Sequence, residues 1–587
     1  MSVITAPETV WKTARIRFGY FRAWHWVVFA AVAIVVLLPL VFLVLGSFST
    51  AMLPTEFDLS KLSFANYAEV WLSPGTLGIF YNTFVYVSGA TAFGITMAAA
   101  LAWLVERTNV PGKLWIYASV PMTLAMPGML QAMAYVLLLS PRIGFINKTI
   151  EQVGLGPINV YSMGGMIFIE GLRLVPTAFL MLVPLLRSMD PALEEAAAMS
   201  GANPRSALRK VTLRLMLPGL LAVSIYQCMT ALDVFEVPGV LGMPAAIYVF
   251  STKIYSMLHP VSGLPGFGQA NALAMIYVLI AIGTTWLYAR VIAHRERYTI
   301  ISGKGYRPRE INLGKWRWVA SGGVLLFLMF SIILPFLALL YVSFLPYLLQ
   351  PSAAAFKSMS FDYYRALWNA PQMARVLWNT VNMVVITSTL TVVFSFLISW
   401  VIVRVKFRGW KIMDQLAFLP HAIPGMVMGL AFLWLFLSAR RVGIEVNGGI
   451  LAMSIAFTVA FMAYGTRSMN AAILQIHKDL EEAAQVAGAR QWRVMWRVFV
   501  PLMLPTLVGV WIWTMLHAVR IAGMPLLLYD GQNNEVLAIL IWNMWDEGNV
   551  QGAAAIGVLM ILVLLAITVG LRVVGLGRAV SVQQTGH

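Results

Sequence analysis

The stretch WVASGGVLLFLMFSIILPFLALL, Trp318 to Leu340, carries no charged side chain over its whole length. About 18 consecutive apolar residues already suffice to cross a bilayer as a helix. In hydrocarbon a backbone can pair its own polar groups only by coiling into a helix or closing into a barrel, and a single run this long reads as a helix. Runs of the same kind recur on both sides. Before it they lie near Trp26–Gly46, Tyr81–Trp103, Trp115–Leu139, Met163–Leu186, Met216–Val237 and Ala272–Tyr288. After it they lie near Thr380–Val403, Leu416–Leu437, Ile450–Tyr464, Met503–Leu528 and Ala553–Leu571. The reading is an all-α, polytopic membrane protein of about twelve spans, six and six. Composition agrees: 60% of the 587 residues are hydrophobic and 11% charged, against about 25% charged in soluble domains.

A formal net charge of +17 would suit a nucleic-acid partner if the cations shared one surface. They fall instead in alternate loops. Arg290, Arg295, Arg297, Lys304, Arg307, Arg309, Lys315 and Arg317 crowd one connection, Arg205, Arg209, Lys210 and Arg214 a second, and Arg404, Lys406, Arg408 and Lys411 a third. That is the positive-inside pattern of an inner-membrane protein. It predicts cytoplasmic termini and outer segments at Glu56–Asp58 and Asp546–Glu547, and it excludes nucleic acid as a partner. Lys12, Arg15, Arg17 and Arg22 precede the first run, which is too long for a signal-peptide core and is expected to be retained. Cys228 is the only cysteine, so no disulfide forms within the chain.

The sequence also repeats. Asn82-Thr83 returns as Asn379-Thr380 and Pro127-Gly128-Met129 as Pro424-Gly425-Met426, both displaced by 297 residues. Glu195-Ala196-Ala197 returns as Glu482-Ala483-Ala484, and Pro218 and Pro238 as Pro505 and Pro525, displaced by 287. Each copy holds six spans and begins on the same side. The halves, 1–308 with a core of about 78–290 and 309–587 with a core of about 375–572, are therefore parallel repeats about a pseudo-twofold axis along the membrane normal. A pathway between the halves follows.

After the fourth span, each half reads Glu-Ala-Ala-x-x-x-Gly: Glu195, Ala196, Ala197 and Gly201, then Glu482, Ala483, Ala484 and Gly488. Acidic residues near a helix start are favoured by its dipole. Alanines form helix with little bulk, so a partner can approach closely, and glycine supplies a terminating conformation. The pattern resembles the EAA loop of binding-protein-dependent ABC importer permeases of type I, which continues to an apolar residue and a Leu-Pro pair. Val498, Val500 and Pro501 fit the second copy. The first has Val211 and Leu213, with Arg214 in place of the proline, while Pro218 matches Pro505.

The resemblance implies a division of labour. Two copies of a cytoplasmic ATPase subunit, carrying ATP and Mg, would receive these loops, and a periplasmic solute-binding protein would dock outside. Consistent with this, the sequence holds no Gly-x-x-x-x-Gly-Lys-Ser/Thr phosphate-binding loop, and the chain is expected to bind no cofactor and to be no enzyme. The linker Ser302-Gly303-Lys304-Gly305-Tyr306-Arg307-Pro308-Arg309 and the run Phe235-Glu236-Val237-Pro238 resemble fused permeases of the ferric-iron type. Thiamine, polyamine and phosphonate importers belong to the same group.

Ionisable residues within spans are costly and point to function by default. Glu170 and Arg173 lie three residues apart in a fourth span and are expected to neutralise each other. In the fifth spans, Asp233 and Glu236 are expected to share one helix face, and His517 and Arg520 another. Asp233 corresponds to Arg520 at the 287 offset, so the two are expected to approach the axis together, as an outer gate or a contact for a charged solute; the alternative is a headgroup position. His421 stands in a span expected to break at Pro420 and Pro424, where it reads as a hydrogen-bonded residue of the break. No His, Cys and carboxylate set has metal-ligand spacing. A gradient-driven transporter explains the repeat but not the paired loops, and a membrane enzyme needs a convergent catalytic group that the sequence lacks.

Overall fold

The structure is a computed structural model. It describes residues 24–154, 156–187, 199–201, 203, 206, 208–295, 310–443 and 449–584. Among these, helices account for nearly all regular structure, and the only β pairings are isolated bridges, Ser49 with Leu62 and Thr108 with Ile311. Among the described residues ten helices are long and apolar enough to span a membrane, and two bent helix pairs raise the number to twelve when each pair is one span. The straight spans are Trp24–Phe48, Thr76–Arg107, Met163–Arg187, Lys210–Asp233 and Phe267–Tyr288, then Trp316–Ser343, Pro371–Val405, Ile450–Gln475, Trp492–Arg520 and Val550–Gly570.

The bent pairs are the third spans. In the first half, Lys113–Ala125 and Gly128–Leu139 meet at 91°, where the sequence alone predicts one unbroken run. In the second, Trp410–Ala422 is separated from Gly425–Ala439 at Ile423 and Pro424. The physical cause is the repeated Pro-Gly. Pro127 and Pro424 adopt extended backbone (ψ 140° and 143°) and cap the following helix. A proline there needs no N–H, since the first N–H groups of a helix have no intrahelical partner.

The fifth spans end earlier than the hydropathy suggests. The first stops at Asp233 and the second at Arg520, and the cause is again a repeated proline. In a continued helix the N–H of residue 238 would bond the carbonyl of Val234; Pro238 has none. Val234 turns to extended backbone (ψ 132°), and its carbonyl accepts from the Ser251 hydroxyl at 2.8 Å. Pro525 stands in the same relation to Ile521, where the second fifth span breaks.

The Asn-Thr repeat becomes a repeat of hydrogen bonds. Asn82 donates to the Tyr248 carbonyl (3.2 Å), and Thr83 Oγ1 accepts from Phe250 N–H (3.2 Å). Asn379 donates to the Glu535 carbonyl (3.0 Å), and Thr380 Oγ1 accepts from Leu537 N–H (2.8 Å). Each pair fastens the start of a second span to the N-terminus of a short helix, Phe250–Leu258 or Leu537–Asp546.

By contacts the described residues form two compact units that do not follow the repeat boundary. One comprises Leu43–Asn382, Ala422–Met453 and the chain from Leu516 onward. Its second and fourth spans pack through glycines: a Cβ on Gly94 would lie 2.9 Å from Leu174 Cβ and 3.0 Å from the Gly171 carbonyl. Small residues of this kind let helix backbones approach where no hydrophobic effect drives them together. The other unit holds Met383–His421 and Ser454–Met515, with the chain up to Phe42. There Thr387, Thr391, Ser395 and Ser399, four residues apart, form a fully buried small-residue seam. Ser399 donates across it to the Thr466 carbonyl at 3.1 Å.

Candidate functional site

The second Glu-Ala-Ala stretch is a nine-residue helix, Lys478–Val486. Asp479 and Glu481 occupy its first turn, where the helix dipole favours acids. Its end is a Schellman cap: Gly488 N–H bonds the Gln485 carbonyl (2.9 Å), and Ala489 N–H bonds the Ala484 carbonyl (3.0 Å). Gly488 has φ +81°, the left-handed backbone with which a glycine ends a helix. Gly201 has φ +80°, so both loop glycines take the same turn. Glu195, Ala196 and Ala197 lie outside the described residues.

Glu482, Ala483, Val486 and Gly488 are exposed, while Ala484 packs against a core of Phe396, Trp400, Met469, Ile473, Met495 and Phe499. The helix thus has one anchored side and one free side. A residue the sequence reading counted only among the loop cations supplies a second anchor. Arg404 Nη2 donates to the Ile473 (3.1 Å) and Ile476 (2.6 Å) carbonyls, capping the fourth span, and its Nε lies 3.7 Å from Glu481. Burial pushes the Glu481 carboxyl above its ordinary value, and Arg404 pulls it part of the way back. The first half repeats the cap: buried Arg107 donates to the Leu186 carbonyl at 3.2 Å. Arg107 and Arg404 stand 297 apart and Leu186 and Ile473 287 apart, so the repeat offsets were a signal that could have found them.

The charges of the spans converge in the larger unit. Glu170, fully buried, takes two bonds from Arg173, Nε to Oε2 at 2.9 Å and Nη2 to Oε1 at 2.6 Å. This is the neutralising pair the spacing predicts. Asp233 and Glu236 do not share a helix face, because the helix ends at Asp233 and Val234 is extended. Nor do Asp233 and Arg520 pair with each other; each is taken by backbone from the opposite half. The Asp233 carboxylate accepts from Gly425 N–H, at the start of the helix after the second Pro-Gly break. Arg520 Nη1 donates to the Leu124 carbonyl, at the end of the helical turn before the first. Glu236 Oε1 accepts from Ala522 N–H at 3.0 Å. The signs follow from the helix ends: a carboxylate meets a free N–H and a guanidinium meets a free carbonyl.

These groups feel one another: Arg173 interacts electrostatically with Glu236, and Arg520 with both. Asp233 is exposed, and Arg173, Glu236 and Arg520 are partly so. His517 lies one turn before Arg520 on the same helix, and His421 is an exposed residue of the turn Leu419–Ala422, with its ring 5.4 Å from Phe418. Among the described residues no group of three or more His, Cys, Asp or Glu is arranged to hold a metal ion.

Broken spans, twin loop glycines and cross-half backbone ties define a polytopic permease built from two repeats. The model of one family, "Binding-protein-dependent transport system inner membrane component", matches residues 90–297 and 391–574. The chain belongs to that family and is a multi-pass protein of the inner membrane. It is 24% identical over 498 residues to the "Ferric transport system permease protein FbpB" of Actinobacillus pleuropneumoniae, covering 83% of this chain and 69% of that one. It is 24% identical over 438 residues to the "Putative ferric transport system permease protein FbpB 1" of Haemophilus influenzae, covering 74% and 66%. The chain thus spans about two thirds of the length of these relatives. Among solved structures, a bacterial ABC transporter involved in import of the acidic polysaccharide alginate matches at 19% identity and TM-score 0.36, covering 43% of this chain and 94% of that one.

Proposed function

We propose that this chain is the membrane-spanning subunit of an ATP-driven importer that passes a small solute from a periplasmic binding protein to the cytoplasm by alternating access. The observation that carries the reading is the pair of loops in which Gly201 and Gly488 adopt one left-handed turn. In the second, the Glu-Ala-Ala helix is held on one side by Arg404 and open on the other. An exposed acidic-alanine helix on a rigid anchor can transmit a partner's movement into the spans. The partners are two copies of an ATPase subunit, which carry ATP and Mg; the chain itself hydrolyses nothing and binds no cofactor. Both termini are cytoplasmic. The halves 1–308 and 309–587 move as the two sides of the pathway, and Glu170, Arg173, Asp233, Glu236, Arg520 and His517, with His421, line it or brace it.

Ferric iron is the solute favoured by the two relatives' names. Thiamine, polyamine or phosphonate would use the same machinery. Purified protein in liposomes tests the reading: ferric uptake is expected only with ATPase subunits, ATP and the binding protein all present. Uptake driven by an ion gradient alone would make the chain a secondary transporter instead.

A further inference from the structure

An aromatic trio recurs at the end of each first span. Phe48, Phe64 and Tyr67 pack together, with Phe64 edge-on to Phe48 at 5.1 Å. Phe344, Phe361 and Tyr364 pack likewise, with Phe361 edge-on to Phe344 at 5.0 Å. In both trios the tyrosine hydroxyl meets a serine at the end of the span, Ser47 or Ser343, at 2.8 Å. Phe64, Tyr67 and Trp71 stand 297 residues before Phe361, Tyr364 and Trp368, the offset of the Asn-Thr repeat. The trios fasten two eight-residue helices, Ala65–Leu72 and Asp362–Asn369, each just ahead of a second span.

Each helix has a held side and an open one. Asn66 and Val70 are buried in the first, and Leu367 in the second. Phe64 and Trp71 fall two helical turns apart and so on one face, where they are 73% and 52% exposed, and Leu72 beside them is 82% exposed. Exposed Ala65 and Ala68 complete an arc that carries no charge. Phe361 and Trp368 repeat the aromatic pair at 61% and 85%. An open face of this kind marks a contact with a partner protein or with the membrane.

Three observations favour the membrane. Trp71 stacks on Phe80 at 5.7 Å. Phe80 neighbours Leu77 and Phe84 on its helix, at i−3 and i+4, and both are exposed on a helix that spans the membrane. That helix, Thr76–Arg107, has 32 residues, which at 1.5 Å per residue is about 48 Å, against about 40–45 Å for a bilayer with its headgroup layers. Its terminal turns therefore stand among headgroups, and Phe80, one turn in, holds Trp71 at that level, where tryptophan is enriched in membrane proteins. The face also recurs in both halves. A bilayer is the same around the two, whereas one soluble partner would offer each a different surface.

We infer that Ala65–Leu72 and Asp362–Asn369 lie in the headgroup layer of the leaflet opposite the basic loops, with Phe64, Trp71 and Leu72, and Phe361 and Trp368, turned into lipid. Through the trios they set the depth at which the ends of the first and second spans stand. The inference rests on the membrane setting alone and goes beyond the transport reading.

Nitroxide labels test it, placed on single cysteines in a Cys228→Ser background of the full-length protein in vesicles of phosphatidylethanolamine and phosphatidylglycerol. Phe64→Cys and Ala68→Cys report on the first helix, Phe361→Cys and Trp368→Cys on the second. Two positions per helix keep the test open where one substitution disturbs folding, judged by helix content in circular dichroism. Leu59→Cys, 67% exposed between the first span and the first helix, is the water reference. The ratio of collisions with oxygen, which concentrates in lipid, to collisions with a water-soluble nickel complex is expected to be several-fold higher on both helices than at Leu59. A ratio on either helix equal to that at Leu59 overturns the assignment and leaves the aromatic face to a soluble partner. The measurement needs no ATP and no solute, so its failure leaves the importer reading standing.

Discussion

Glu170 shows what one charge costs in this protein. Its carboxylate is fully buried and its two oxygens are both taken by Arg173, which is itself 27% exposed. Arg173→Met leaves that carboxylate uncompensated, which in buried pairs costs about 3–5 kcal/mol. Because the Arg173 side chain is not fully buried, the lower end is expected. Thermal unfolding in detergent should show Arg173→Met clearly less stable than wild type, and Glu170→Leu combined with Arg173→Met should recover much of the loss. Additive losses would mean the two side chains are not one unit. Glu170 and Arg173 were legible as a pair from spacing alone, since residues three apart meet on a helix whatever surrounds it. Asp233 was legible as a candidate and not as a contact, because its partner is a backbone N–H 192 residues away, and no side-chain pattern encodes that.

At the scale of the element, proline and glycine decide where helices stop. Pro127 and Pro424 break the third spans, Pro238 and Pro525 the fifth, and Gly488 ends the Glu-Ala-Ala helix. Gly488 gives the sharpest prediction. A Cβ there meets nothing within 4 Å, so any penalty of Gly488→Ala comes from the left-handed backbone, about 1 kcal/mol. Asparagine tolerates that conformation better than alanine or valine. Transport coupled to ATP is therefore expected to fall in the order Gly488→Asn, Gly488→Ala, Gly488→Val, with the purified variants equally folded. Equal activity in all three would remove the glycine from the coupling role. The repeated prolines were visible as a repeat, but the early ends of the fifth spans were not. Hydropathy sees Val234 and Ile521 as apolar residues suited to a span, while the missing N–H four residues later acts on their carbonyls.

For the molecule as a whole, the distribution of Lys and Arg predicts a side for every loop. In a Cys228→Ser background, a cysteine at Leu59, 67% exposed, is expected to react with a membrane-impermeant maleimide in intact cells with an opened outer membrane. A cysteine at Val486, 90% exposed, is expected to react only after the inner membrane is broken. The reverse result would place the Glu-Ala-Ala helix outside and end the importer reading. Compact units and sequence repeats also divide the chain differently, since Ala422–Met453 and the chain from Leu516 group with the first half. A repeat records how the gene was built, whereas compactness records which side chains meet.

The sequence by itself determined that this is a polytopic helical permease of about twelve spans with two Glu-Ala-Ala stretches, because span length, charge asymmetry and glycine turns are local consequences of residue type. Only the tertiary structure decided that Asp233, Glu236 and Arg520 serve free helix ends of the opposite half, and that Arg404 ties Glu481 to the fourth span. Those pairings depend on N–H and carbonyl groups that every residue carries, so they become distinctive only once packing has left particular ones without a helical partner.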